Sequence, residues 1–129
     1  MRQDIEGENW YYAEHDGRWA GPEEVSSIRI PSLRSGSHKV QLEVVDAMEP
    51  EILYGMEVSL NGTPLEISKD WDCYPALVRA SFVTQEIAES PVWEFQFKFP
   101  RLVSPAQHGS EDRRNLAIRL RSITVRSID

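Results

Sequence analysis

The run Trp93-Glu94-Phe95-Gln96-Phe97-Lys98-Phe99 sends four aromatic side chains to one side and three polar ones to the other. An extended strand does this because successive side chains point to opposite faces, whereas a helix would scatter the same rings around its circumference. Such a strand is stable only if its aromatic face is covered, so the chain must supply further half-buried strands. It does. Val40, Leu42 and Val44 alternate with polar residues over 38–46. Met56, Val58 and Leu60 do so over 54–61, and Val78, Ala80 and Phe82 over 76–83. Trp10–Glu14, Val25–Ile30 and Pro64–Ile67 are shorter strand candidates.

Towards the C-terminus the apolar phase slips. Leu116, Ile118 and Leu120 alternate, but the next apolar residues are Ile123 and Val125, an odd number of steps away. A continuous strand would turn the second pair to the wrong face unless one residue is extra, so a bulge or bend is expected near Arg121-Ser122. A helix is the rival, since 116, 120 and 123 also share a helical face. The β-branched Ile118, Ile123, Thr124 and Val125 favour the strand.

Between these runs lie turn residues. Asn61-Gly62, between two apolar stretches, is the dipeptide best suited to a two-residue hairpin. Proline dipeptides and Ser35-Gly36-Ser37 break the chain elsewhere. Short helical turns fit only Thr84–Glu89 or Ala106–Asp112. About eight short strands with such turns predict an all-β fold, an antiparallel jelly-roll-like β-sandwich forming one domain over residues 1–129.

Composition narrows the functional classes. With 129 residues the chain can bury a core without disulfides or metal, and its single cysteine, Cys73, has no internal partner. Fourteen Lys and Arg against 21 Asp and Glu give a net charge of −7, which disfavours nucleic acid as a partner. No apolar run approaches a membrane span, and Met1–Glu6 lacks the apolar stretch of a secretory leader, so no membrane insertion and a cytoplasmic location are expected. Charge is uneven: residues 1–24 hold seven acids and two bases, and residues 113–129 five arginines and one acid. Either the two ends lie together and pair, or the arginines form a functional patch.

Catalytic constellations are scarce. His15, His38 and His108 have no adjacent Ser or Cys, and Cys73 has no base near it in sequence, so no enzymatic activity and no cofactor are expected. Asp70-Trp71-Asp72 places two carboxylates one residue apart. In glycosyltransferases such a pair holds a divalent cation and a sugar nucleotide, but this chain lacks the βαβ pattern and the length for that domain. A solvated loop and a structural calcium site are the remaining readings. Exposed aromatics are the better binding candidates, because pyranose rings stack on them while nearby polar groups fix orientation. Trp71, flanked by Asp70 and Asp72 and followed by Tyr74, is the leading position. Tyr12 is another, since Tyr11 and Tyr12 must point to opposite sides.

Two segments carry a resemblance beyond alternation. The first is Trp10-Tyr11-Tyr12-Ala13-Glu14-His15-Asp16-Gly17-Arg18-Trp19-Ala20-Gly21-Pro22, and the second runs from Pro105 through Gly109, Asp112, Arg113 and Arg114 to Leu116-Ala117-Ile118, followed by Arg121-Ser122-Ile123. With Val58-Ser59-Leu60-Asn61-Gly62 between them, they resemble the accessory β-sandwich found beside bacterial glycosyltransferases and cell-surface polysaccharide proteins. That pattern reads E-x-x-G-R-W-x-G-P, V-x-V-N-G and P-x-x-x-G-x-x-D-x-R-x-L-G-I, and Ala117 stands where it has glycine. The resemblance implies a carbohydrate-binding-like module without an active site, with a glycan or an adjacent glycosyltransferase domain as partner. A protein–protein interaction or structural sandwich is the alternative. Read physically, Gly17, Arg18, Trp19, Asn61, Gly62, Asp112 and Arg113 suit structural roles: a tight turn at Gly17, a Trp19 ring capping the core, and a carboxylate at Asp112 holding the late loop.

Overall fold

In the computed structural model, which describes residues 6–14, 16–70, 72 and 74–128, two five-stranded antiparallel sheets pack face to face as a β-sandwich. One sheet orders β1 (Glu6–Glu8), β3 (Val25–Pro31), β9 (Val92–Lys98), β5 (Glu57–Leu60) and β6 (Thr63–Pro64). The other orders β2 (Arg18–Trp19), β10 (Ile118–Ser127), β4 (Ser37–Ala47), β8 (Ala76–Val83) and β7 (Ile67–Asp70). The chain changes sheet at nearly every connection, the jelly-roll-like trait expected for so many short strands.

The alternating residues make the core. Trp93, Phe95 and Phe97 of β9 meet Val40 and Leu42 of β4 and Val78, Ala80 and Phe82 of β8, all buried. Phe99, just past β9, is buried with them. Phe82 lies edge-on to Trp93 at 5.3 Å and to Phe95 at 6.3 Å, a preferred arrangement of aromatic rings. Each such side chain contributes about 1.5–3 kcal/mol on burial.

The phase slip near the C-terminus is a pair of bulges. Leu120 faces Val44 and Ser122 faces Glu43, leaving Arg121 as the extra residue on β10. One step earlier Arg119 faces Asp46, so Val45 is the extra residue on β4. With both in place, Ile118 and Leu120 are buried and Ile123 and Val125 still pack against the core.

Three expected elements are corrected. Trp10–Glu14 is no strand: it forms an arm held by single bridges, Trp10 to Ala20 and Glu14 to Gly17. The Trp10 indole docks instead on the first sheet, donating to the Ser27 carbonyl at 2.8 Å. Pro64–Ile67 splits, because the chain leaves one sheet after Pro64 and joins the other at Ile67. The 54–61 strand starts only at Glu57, after a short helix, α1 (Pro50–Tyr54), that buries Ile52 and Leu53. Pro50 suits that helix because the first turn needs no N–H from it.

Candidate functional site

The Lys69–Tyr74 region, expected as a loop bearing the site, begins inside a strand. Asp70 is the last residue of β7, opposite Leu77, and its carboxylate accepts the Asp72 backbone N–H at 3.1 Å. That bond turns the chain sharply and engages one carboxylate oxygen with the protein's own backbone. Lys69, whose pKa burial lowers, donates to the Tyr54 carbonyl at the end of α1. Asp72 is exposed, and Tyr74 is 74% exposed. The leading candidate Trp71, together with Cys73 and His15, lies outside the described residues. Tyr12 is 92% exposed, but it sits on the arm beside β2, whereas Tyr74 belongs to the β7–β8 hairpin. Those strands are opposite edges of one sheet, and four strand spacings of ~4.8 Å put them roughly 19 Å apart. The structure does not bring these two tyrosines together. Among the described residues, no three His, Cys, Asp or Glu side chains gather as a metal site.

The two resemblance-bearing segments meet, and the contact is structural. Ala20 and Ala117 exchange strand-like bonds with the late segment and the arm: Ala20 N–H donates to the Ile118 carbonyl and Ala117 N–H to the Ala20 carbonyl, at 2.9 and 3.0 Å. Gly17 and Gly21 lie where the approach is closest. A Cβ at Gly17 would stand 2.7 Å from the Leu120 carbonyl oxygen, and one at Gly21, where φ is +147°, 2.1 Å from that of Asn115. Arg18 Nε donates to the Tyr11 carbonyl at 2.8 Å, holding the arm. Trp19 is buried, but its ring lies beneath the Arg119 guanidinium at 5.5 Å rather than among the central core residues.

Asp112 does hold the late loop, and of the two arginines that follow it the partner is Arg114. Arg114 grips it with Nε at 3.1 Å and Nη2 at 2.7 Å, while the Arg114 backbone N–H donates to Oδ1 at 3.0 Å. Arg113 is exposed. The reason is local: the bend at Asp112 returns residue 114, not 113, to its carboxylate. The Arg114 bonds hold the Asp112 carboxyl below its ordinary range, and Asp112 in turn raises Arg114. Arg114 also reaches Glu14 at 3.3 Å and covers the Tyr11 ring at 5.2 Å. Arg119 meets Asp16 at 3.5 Å. Glu14 and Asp16 of the acidic start thus pair with Arg114 and Arg119 of the basic end.

Asn61-Gly62 forms the expected hairpin, with φ of 48° and 85° as a type I′ turn requires. Asn61 has a second role. Its Oδ1 accepts the Glu94 N–H at 2.8 Å and its Nδ2 donates to the Ala88 carbonyl at 3.2 Å, tying down the segment before β9.

That segment borders a concavity. Two crossovers, 32–36 from β3 to β4 and 84–91 from β8 to β9, run side by side at one end of the sandwich. They are joined at one end by Ser32 N–H donating to the Pro91 carbonyl at 3.0 Å. At the other, Gly36 and Thr84 exchange two bonds: Thr84 N–H to the Gly36 carbonyl at 3.0 Å and Gly36 N–H to Thr84 Oγ1 at 2.9 Å. Between them opens a cleft of about 1010 Å³ with Ile87 and Trp93 among its lining residues. Ser32, Ser35, Thr84, Gln85 and Ser90 supply hydroxyl or carboxamide groups, and Glu89 the one ionisable side chain among the described lining residues. The cleft flanks the end of β8, whereas the Asp70–Tyr74 region flanks its start. Seven residue steps of ~3.3 Å separate them by roughly 23 Å.

None of the cleft residues was a candidate from the sequence. Each crossover reads alone as an ordinary polar turn, and only the pairing of β3 with β9 and of β4 with β8 brings them together. The sequence matches no protein-family model and no curated protein.

Proposed function

We propose that this chain is a non-catalytic accessory module of the carbohydrate-binding kind, serving a bacterial glycosyltransferase or glycan-assembly partner in the cytoplasm. The observation that carries this reading is the framed cleft. It sits at one end of a β-sandwich, is lined by hydroxyl, carboxamide and apolar side chains, and is as large as sites that hold small molecules, about 300–1,000 Å³. The motif residues support the module reading in another way, since they fasten the arm to β10 and leave the ends of the sandwich for recognition. Arg114, Asp112, Glu14, Arg119 and Asp16 are engaged with one another.

A glycan array probed with the purified chain, followed by titration of array hits with tryptophan fluorescence as readout, tests this. Saturable binding of at least one saccharide is expected. An array without a hit refutes the reading and favours the protein-interaction alternative. Turnover of a nucleotide sugar or glycoside, abolished by one point substitution, contradicts the non-catalytic part.

A further inference from the structure

We infer that the ligand-binding site is the cleft between the two crossovers, and that it selects neutral oligosaccharides over phosphorylated or uronate-bearing ones. The inference rests on the carbohydrate-binding reading and adds to it a location and a ligand class.

Charge decides the class. Of the described lining residues only Glu89 ionises, and no lysine or arginine is among them. The crossovers contain one cation, Arg34, whose Nη2 donates to Ser127 Oγ at 2.9 Å and which does not line the cleft. A phosphate or carboxylate placed here meets Glu89 and a chain of net charge −7. It finds no guanidinium to pair with, the usual requirement of anion recognition.

The polar groups that remain suit alcohols. Hydroxyl and carboxamide side chains donate and accept, as sugar hydroxyls do. Thr84 Oγ1 and Ser90 Oγ each accept one backbone N–H, from Gly36 at 2.9 Å and Val92 at 3.2 Å, which orients the hydroxyl and leaves its own proton to donate. Leu33, 43% exposed, offers apolar surface to the C–H face of a pyranose. An extended peptide is less well served. Such a ligand draws on unpaired backbone groups, and here Ser32 N–H, Gly36 N–H and C=O, Thr84 N–H and Pro91 C=O already bond one another. The same bonds fix the frame before a ligand arrives, which lowers the ordering cost of binding.

Calorimetric titration tests the proposal with neutral gluco-, manno- and galacto-configured tetrasaccharides and their 6-phosphorylated and uronate counterparts. The cleft variants are the double substitution Leu33→Ala/Gln85→Ala, at exposed positions, and Ser35→Trp, which fills the opening. Trp71→Ala and Tyr74→Ala probe the β7–β8 hairpin. The expected result is a neutral ligand whose Kd rises at least tenfold in both cleft variants and stays within twofold in the hairpin variants. Its anionic counterpart should bind at least tenfold more weakly and recover in Glu89→Gln. Loss of binding in the hairpin variants alone overturns the location while leaving the carbohydrate-binding reading intact. Tighter binding of the anionic series overturns the ligand class. Absence of binding by the unaltered chain to every saccharide overturns that reading and the inference together.

Discussion

Replacing Phe97 by alanine tests whether the aromatic strand is the centre of the sandwich. Phe97 is 1% exposed, sits between Ser26 and Val58 on its own sheet, and meets Trp10 edge-on at 6.2 Å. It also borders Val40, Leu42 and Val78 of the opposite sheet. Losing the buried ring forfeits about 2 kcal/mol of transfer free energy. A residual cavity of roughly 100 Å³ at about 24 cal/mol per Å³ adds about 2 kcal/mol if the neighbours stay in place. Partial collapse lowers that figure, and the lost Trp10 contact adds about 0.5–1 kcal/mol. The expected cost is therefore about 3–5 kcal/mol, a large share of the roughly 5–15 kcal/mol that holds a domain together. Urea unfolding followed by far-ultraviolet circular dichroism measures it. Phe97→Leu, which keeps most of the volume, should cost under about 1.5 kcal/mol and keeps the comparison usable if the alanine variant unfolds. A loss under 1 kcal/mol for Phe97→Ala would show that the ring does not bridge the sheets and refute the packing argument.

Asn61→Ala removes the partner of the part-buried Glu94 N–H and should cost about 1–2 kcal/mol by urea unfolding, with weakened saccharide binding because the cleft wall loosens; unchanged stability contradicts the tie. Arg114→Gln should lower the melting temperature more than Arg113→Gln, and equal effects would contradict the Arg114–Asp112 pairing. Because Arg114 depresses the Asp112 carboxyl, the stabilisation it gives is present above the unfolded carboxylate pKa of about 3.9 and is lost as pH falls through the lower folded value. Melting curves at decreasing pH should therefore fall less steeply below about pH 4 in Arg114→Gln than in the unaltered chain, and parallel curves contradict the coupling. Deleting Arg121 leaves Ile118, Leu120, Ile123 and Val125 in strict alternation, so the shortened chain should still fold with a sheet-type circular dichroism spectrum; deleting Arg119, which breaks that alternation, should not be tolerated.

Features governed by local pattern were legible. Alternation marks which face of β4, β8 and β9 is buried, because period two follows from backbone geometry alone. The slip between Leu120 and Ile123 forces an extra residue whatever the partner strand. Asn61-Gly62 encodes its turn in its own dihedral preferences. Features set by neighbours distant in sequence were not. Pro64–Ile67 reads as one strand because nothing local marks the residue at which a chain crosses between sheets. The α1 turn depends on burying Ile52 and Leu53 beneath the connection, since five residues have too little propensity to form a helix alone. Asp112 precedes two arginines, and only the bend decides which one returns to it. The cleft is the clearest case: Ser32–Gly36 and Gln85–Pro91 carry no motif, and their meeting follows from strand order.

The most direct test of the account is backbone amide mapping by heteronuclear NMR during titration with the neutral tetrasaccharide that binds best. Chemical-shift changes centred on residues 32–36 and 83–93, with little change at 68–76, are predicted. Changes centred on the β7–β8 hairpin, with the crossovers silent, would contradict it.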